Sequence, residues 1–264
     1  MPKTEEQSEK SGSGPAKFAK GLEGVVAAQT ALSLVDGEAS QLYYRGIPIH
    51  ELAENSSYEE TVFLLWNGKL PAAAELADFK RKLATYRPLS ANVLDFLKAF
   101  PKKAHPMSAL RSAVSLLGLF DPDVEKIDTE SSERQAFRLT AVFPTLIAAF
   151  HRLRLGKDPL APDKKLSHAA NFLYMMHGNP PEKEMERALD AYLILLADHG
   201  LNASTFSARV TAATESDMVS AITSAVGTLK GPLHGAANQR AMEMILDIDS
   251  PDRAEGYVRN LLAQ

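Results

Sequence analysis

The stretch Ser220–Asn238, SAITSAVGTLKGPLHGAAN, decides the fold, because it predicts two helices joined by a turn around one histidine. Small side chains repeat on one face of the first helix, at Ala221, Ser224, Ala225 and Thr228. Such a face lets another helix approach closely, either from the same chain or from a second subunit. The helix is predicted to stop at residues 230–232, Lys-Gly-Pro, because a cation in the last turn followed by Gly and Pro is typical of a helix C-terminus.

His234 lies just beyond that stop and just before a second helix that is predicted to begin near Ala236 or Ala237. The unpaired N–H groups of a helix N-terminus carry roughly half a positive charge, which favours the neutral imidazole. A neutral ring can donate a hydrogen bond to an oxygen that is becoming negative. Gly235 leaves room for a ligand near the backbone. A histidine that only hydrogen-bonds within a tight turn fits the local sequence equally well.

A second histidine, His199, follows an apolar stripe at helical spacing. The stripe consists of Met185, Leu189, Tyr192 and Leu196. This spacing predicts that His199 closes the helix and points inward, with Gly200 directly after the helix end. Alone, such a histidine is typical of a buried ring bonded to one carbonyl. Asn202 adds a carboxamide three residues later, and the pair offers donors to a carbonyl and a carboxylate together. The two side chains therefore predict a site for a keto acid.

The composition limits the kind of partner. The chain has 264 residues, of which 45% are hydrophobic, and this is enough for a sizeable core. The formal net charge of -4 provides no basic field, so neither nucleic acid nor a membrane is predicted as a partner. No cysteine is present, and the histidines lack the carboxylate spacing of a metal site, so no metal is predicted. The longest apolar run, residues 141–150, is too short to span a bilayer.

Almost everything after residue 50 predicts helices. Residues 29–49 predict a small β-hairpin that turns at Asp36-Gly37. Apolar side chains at helical spacing follow in residues 59–65, 72–86, 91–100, 109–117, 133–153, 163–176, 182–197, 216–229, 237–247 and 251–263. Pro144 lies inside one of these segments and is expected to kink or split it. Residues 1–20 are polar and lack the apolar run of a secretory signal, which predicts the disordered tail of a cytoplasmic protein.

Several segments taken together resemble the citrate synthase family, in its shorter bacterial and archaeal type. They are LYYRGIPIHELAENSSYEETVFLLWNGKLP (42–71), AHPMSALRSAVS (104–115), LSHAANFLYMMHG (166–178), ADHGLNASTF (197–206) and the opening stretch. The resemblance implies a mainly α, citrate synthase-like fold with a short N-terminal β-hairpin. Residues 21–235 would form a large dimerisation domain, and residues 236–264 would be the start of a small domain. Helices in residues 167–178 and 220–231 would lie in the interface of a homodimer or higher homo-oligomer.

The resemblance also implies an activity and site residues. The family condenses acetyl-CoA with oxaloacetate to give citrate and CoA, as in the tricarboxylic acid cycle, with acetyl-CoA as co-substrate and no tightly bound cofactor. His234 would stabilise the enol or enolate of the acetyl group, and His199 and Asn202 would hold oxaloacetate. Leu233 and Gly235 would lie beside the thioester end of CoA. Ala236 stands where the family usually has a second glycine, and its methyl group would narrow the approach.

The same resemblance places further site residues beyond Gln264: a histidine and an arginine in a glycine-rich turn, an aspartate that removes the α-proton, and more arginines. The chain as given is therefore expected to be catalytically incomplete, because loss of a positioned acid or base forfeits roughly 10²- to 10⁴-fold in rate. Apolar side chains that such a segment would cover are expected to be exposed, namely Met242, Ile245, Leu246, Val258, Leu261 and Leu262. Two alternatives remain: an inactive dimeric helical module of the same ancestry, and a methylcitrate synthase that uses propionyl-CoA.

Overall fold

The computed structural model describes residues 28–263, so the predicted tail of residues 1–20 lies outside the described residues. The helices of the described range are α1 (Ile49–Asn55), α2 (Tyr58–Asn67), α3 (Ala73–Tyr86), α4 (Ala91–Ala99), α5 (Pro106–Leu119), α6 (Thr129–Arg154), α7 (His168–His177), α8 (Lys183–Leu195), α9 (Ala203–Ala212), α10 (Met218–Leu229), α11 (Ala236–Ile248) and α12 (Pro251–Leu262). The predicted mainly α fold is confirmed.

A small antiparallel sheet precedes the helices. Its strands are β1 (Ser33–Asp36), β2 (Gln41–Tyr44) and β3 (Ile47–Pro48), in the order β1-β2-β3. Ser33 lies opposite Tyr44, and Tyr43 lies opposite Pro48. The predicted hairpin is confirmed, and the short third strand extends it.

Three features of the helices differ from the prediction. Helices α1 and α9 were not predicted, because each is short and its polar side chains interrupt the apolar spacing. Pro144 was expected to kink or split its helix, and it does not split it, because α6 continues from Thr129 to Arg154. The kink stays a prediction. Packing stabilises the helix on both sides of the proline, since Val142, Thr145 and Leu146 are buried.

The core is built around α6, which contributes side chains to two apolar clusters. One cluster joins α6 to α4, α5 and α10 through Val93, Leu97, Val114, Leu146 and Val219. Another joins α6 to α2 and α3 through Phe63, Phe79, Leu83 and Phe137. A third cluster joins β2, α1, α2 and α8 through Tyr44, Leu52, Leu64 and Ile194. The sheet therefore packs against α1, α2 and the C-terminal end of α8.

The last two helices, α11 and α12, contain no buried residue. All six apolar side chains that were predicted to be uncovered are exposed: Met242, Ile245, Leu246, Val258, Leu261 and Leu262. That prediction is confirmed for the described residues. The division of the chain into a large domain and the start of a small one stays a prediction.

Within residues 28–263, no helix combines the length and the apolar character needed to cross a membrane. The same range contains no group of three or more histidine, aspartate or glutamate side chains arranged to hold a metal ion.

Candidate functional site

The turn between α10 and α11 presents His234. The His234 N–H donates to the Gly231 carbonyl at 3.0 Å, and the His234 carbonyl accepts from the Ala237 N–H at 3.1 Å. Helix α11 then begins at Ala236, where the sequence predicts it. The histidine is half-buried, so part of the residue is accessible to solvent.

A serine that was not predicted holds the ring of His234. Ser204 lies in the first turn of α9, and its Oγ is 2.8 Å from His234 Nε2 and 3.1 Å from the carbonyl oxygen of Ala225. A hydroxyl has only one proton, so it can donate to only one of these two partners. If Ser204 donates to Ala225, Nε2 carries the ring proton and Nδ1 is an acceptor. If Ser204 donates to Nε2, the proton of the neutral ring is on Nδ1, which then becomes a donor.

The small face of α10 explains why Ser204 reaches the histidine. Ser224 faces α9, because its hydroxyl group is 2.5 Å from that of Ser207, and the Ala225 carbonyl accepts a hydrogen bond from Ser204. Only small side chains allow two helices to approach this closely. The sequence left open whether the partner helix came from the same chain, and in the structure α9 of the same chain packs against this face.

Asn202 is the N-cap of α9. Its Oδ1 accepts a hydrogen bond from the Thr205 N–H at 3.0 Å, which satisfies one of the free donors at the helix start. Within the described residues its amide nitrogen makes no hydrogen bond. Because the cap occupies the amide oxygen, the two N–H donors of the Asn202 amide remain available to a ligand.

The predicted setting of His199 is wrong. Helix α8 ends at Leu195, and His199 follows in an irregular, exposed segment rather than closing the helix on its inner face. The predicted apolar stripe is also largely exposed, with Met185 at 56%, Tyr192 at 50% and Leu196 at 53%. Helix α8 instead buries the face that carries Asp190 and Ile194. The apolar spacing identified one apolar face of α8. It could not show which face of that helix is covered by the rest of the chain.

Tyr44 determines where the chain leaves α8. Its hydroxyl oxygen is 2.8 Å from the Asp198 carbonyl, to which it donates, and 3.1 Å from the Asp198 N–H, from which it accepts. Burial is the main reason that the pKa of Tyr44 is raised above its usual value, so the hydroxyl keeps its proton. The Asp198 carboxylate accepts from the Gly200 N–H at 2.9 Å and from the Ser33 hydroxyl. These bonds turn the chain between α8 and α9 and place His199 at the surface.

Residue 235 has to be glycine because the surrounding atoms leave no space for a side chain. A Cβ atom at this position would lie 2.4 Å from the Leu229 carbonyl oxygen and 2.4 Å from Leu229 Cδ1. The sequence attributed this glycine to ligand access, and the structure supplies a second reason, since the end of α10 already occupies that space. Leu233 is 99% exposed, so its side chain is free to contact a ligand.

The structure is thus a mainly α fold in which the paired helices α9 and α10 hold His234 through Ser204, at the start of α11. A family model described as "Citrate synthase, C-terminal domain" matches residues 21–264. The chain belongs to the citrate synthase family.

Known members of the family are similar over most of this chain. The citrate synthase of Deinococcus radiodurans is 46% identical over 245 residues, which are 93% of this chain and 65% of that protein. The 2-methylcitrate synthase of Mycobacterium tuberculosis is 43% identical over 93% of this chain and 62% of its own length. A solved ternary complex of citrate synthase from Thermoplasma acidophilum with carboxymethyl coenzyme A and oxaloacetate has a TM-score of 0.86 at 27% identity. It covers 92% of this chain and 64% of that one. The chain thus spans somewhat less than two thirds of these relatives.

Proposed function

We propose that this protein acts in citrate synthase-type acyl transfer, in which acetyl-CoA condenses with oxaloacetate to give citrate and CoA. The observation that carries the proposal is the half-buried His234, which is hydrogen-bonded to Ser204 and stands at the start of α11. Membership of the citrate synthase family supports the same reaction. So does the solved Thermoplasma relative, a ternary complex of that enzyme with oxaloacetate and carboxymethyl coenzyme A.

In this proposal His234 stabilises the enol or enolate formed from the acetyl group. The ring does so as a neutral donor from Nδ1, which requires that the Ser204 hydroxyl donates to Nε2 and gives up its bond to Ala225. A hydrogen bond to the developing oxyanion strengthens as negative charge accumulates, and therefore lowers the barrier to forming a carbon nucleophile. That carbon attacks the ketone carbon of oxaloacetate, and hydrolysis of the resulting thioester releases CoA.

Asn202 and His199 are proposed to hold oxaloacetate. The amide N–H groups of Asn202 have no partner among the described residues, and His199 precedes it by three residues on the exposed surface of the same segment. Both side chains offer donors to carboxylate or carbonyl oxygens. Leu233 and Gly235 are proposed to lie beside the thioester end of CoA, since they flank His234 in the turn.

We also propose that the protein is a cytoplasmic homodimer. A continuous apolar stripe, which we define as Met185, Tyr192, Leu195 and Leu196 of α8 and its C-cap, is 45–56% exposed. On α9, Phe206 and Val210 are also exposed, at 42% and 53%. Exposed apolar surface of this extent is typical of protein interfaces. A second copy of the chain is the partner that the family resemblance implies, although the resemblance predicts an interface through residues 167–178 and 220–231, and that interface stays a prediction.

The experiment that tests the proposed reaction measures binding of carboxymethyl-CoA by calorimetry in the presence of oxaloacetate. The wild-type chain is expected to bind, and His234→Gln is expected to weaken binding by about tenfold, or about 1.4 kcal/mol, which is the range of one charge-assisted hydrogen bond. The exposed His177→Gln is the matched control and should bind like the wild type. Equal affinity of the His234 variant and the wild type would refute the role of His234.

A parallel assay distinguishes the acyl donors and the inactive alternative. Release of the CoA thiol is followed with acetyl-CoA and, separately, with propionyl-CoA, because a 2-methylcitrate synthase is among the similar proteins. Faster release from acetyl-CoA supports the proposed reaction, and faster release from propionyl-CoA assigns methylcitrate formation instead. Binding of carboxymethyl-CoA without release from either donor is the result expected of a catalytically incomplete chain, and together with a stable dimer by light scattering it would favour the inactive dimeric module.

A further inference from the structure

A cavity remote in sequence from the His234 turn lies between α3 and the segment that leads into α7. Its volume is about 600 Å³, which is within the range of sites for small metabolites. The charged residues that line it are the five cations Lys80, Arg81, Arg87, Lys164 and Lys165, and the one carboxylate Glu59. In a chain with a formal net charge of -4, this concentration of positive charge is local.

Arg87 forms the buried wall of the cavity. Its residue surface is 2% exposed, and its Nη1 donates to the carbonyl oxygens of Asp163 and Leu166 at 2.8 and 2.9 Å. Its Nε, also buried, has no hydrogen-bond partner among the described residues. An unpaired buried donor costs free energy, and a buried guanidinium usually has more partners than two carbonyls. Arg87 is therefore incompletely satisfied by the protein alone.

The opposite carboxylate does not complete Arg87. Glu59 is 1% exposed, and its Oε1 accepts a hydrogen bond from the His168 N–H at 2.9 Å, at the start of α7. Its Oε2 has no hydrogen-bond partner in residues 28–263, so this oxygen does not satisfy the free Nε of Arg87. Burial lowers the pKa of the Arg87 guanidinium, and the nearby charges of Glu59 and Asp163 oppose that shift only in part. The Nε donor of Arg87 is thus left without a hydrogen-bond partner in residues 28–263.

The mouth of the cavity has unpaired positive charge. The ammonium groups of Lys80, Lys164 and Lys165 form no ion pair with any described residue, whereas Arg81 is paired with Asp78 at 2.7 Å. Lysine ammonium groups bind phosphate as point charges, and an arginine fork binds it with directed hydrogen bonds. Ser167, the N-cap of α7, also lines the cavity, and the first N–H of that helix already donates to Glu59.

We propose that this cavity binds a small phosphate-bearing molecule, with Lys80, Lys164 and Lys165 as its surface contacts and Arg87 as its buried contact. The cavity shares no residue with the His234 turn, so the proposal is independent of the proposed function. The negative charge of the bound molecule would pair with the lysines that have no ion-pair partner. The bound molecule would also stabilise the contact between α3 and the segment that leads into α7.

Calorimetric titration of the full 264-residue chain with sodium pyrophosphate at low ionic strength tests the proposal. The wild type is expected to bind with a Kd below about 1 mM, as suits several unscreened cations around one anion. The variant Lys80→Gln/Lys164→Gln/Lys165→Gln is expected to bind at least about tenfold more weakly. The control Lys102→Gln/Lys103→Gln/Lys157→Gln removes three exposed lysines outside the cavity and makes the same change in net charge. It should stay within about twofold of the wild type.

Three results would overturn the proposal. The first is that the wild type does not bind pyrophosphate at about 10 mM. The second is that both triple variants lose the same affinity, because such a loss would depend only on net charge. The third comes from citrate as a second probe. A citrate affinity that exceeds that of pyrophosphate and falls in the cavity variant assigns the cavity to carboxylates rather than phosphates. Since the substituted lysines are surface side chains, the folding of the variants is not at issue.

Discussion

The close packing around Gly235 predicts the effect of a substitution at this position on the stability of the protein. Gly235→Ala is expected to lower the free energy of unfolding by about 1–3 kcal/mol, because the added methyl group meets the Leu229 backbone at 2.4 Å. Gly256→Ala is the control, because that glycine lies in α12, where an added methyl group would meet no atom within 4 Å and alanine favours helix. Denaturant unfolding followed by circular dichroism measures both. Equal stability of Gly235→Ala and the wild type would show that the turn is not tightly packed.

His168 predicts a pH dependence of stability. Burial, as the main cause, lowers its pKa from 6.5 to about 4, with the Glu59 carboxylate opposing and Arg87 reinforcing the shift. Between these pH values the unfolded chain binds a proton that the folded chain does not. The free energy of unfolding is therefore expected to fall as pH decreases from about 6.5 to about 4, by at most about 3 to 4 kcal/mol, with no further loss from this group below that range.

The variant His168→Gln isolates this contribution. It is expected to flatten the dependence of unfolding free energy on pH between about 6.5 and about 4, whereas His177→Gln, at an exposed position, should keep the wild-type slope. Urea unfolding at several pH values gives the comparison. If His168→Gln and the wild type have the same slope, the buried ring is not the titrating group.

Individual site residues were predictable to different degrees. The position of His234 followed from Gly231 and Pro232, because these residues stop a helix whatever the tertiary fold. Ser204 was not predictable, since its contact with His234 exists only after α9 packs against α10. The one available signal was its position two residues after Asn202, in the first turn of a helix that itself was not predicted. His199 was placed wrongly because Tyr44, far away in sequence, ends α8 early.

At the scale of elements, the α9–α10 contact positions Ser204. Ser224→Leu is expected to separate the two helices and to lower the free energy of unfolding by about 1–3 kcal/mol, because the Ser207–Ser224 contact at 2.5 Å leaves no room for a larger side chain. Ala237→Leu, at an exposed position of α11, is the control and should change stability by less than about 0.5 kcal/mol. Chemical denaturation provides the measurement, and similar effects of the two substitutions would contradict close packing here.

Apolar periodicity predicted most of the long helices, because α3, α4, α6 and α10 each bury one face in a core of the same chain. It misjudged α8, whose apolar stripe has no cover in the described chain, while the polar Asp190 on its buried face accepts a hydrogen bond from the Tyr58 N–H at 3.0 Å. Apolar spacing predicts that a helix face is buried, but it does not show which other element buries that face.

At the scale of the whole molecule, the exposed stripe of α8 predicts self-association. Size-exclusion chromatography with light scattering is expected to give a dimer for the wild type and a monomer for Tyr192→Lys/Leu196→Lys, because charges in the stripe oppose its burial. Leu119→Lys changes an apolar side chain that is 79% exposed at the end of α5, and should remain dimeric. A wild-type monomer at all concentrations would exclude the homodimer.

The most direct test of the central claim is a crystal structure of this protein with carboxymethyl-CoA and oxaloacetate. The account predicts that Nδ1 of His234 lies within about 3 Å of an oxygen of the carboxymethyl group, that Ser204 Oγ still contacts Nε2, and that the Asn202 amide contacts oxaloacetate. A complex in which both ligands are bound but His234 contacts neither would contradict it.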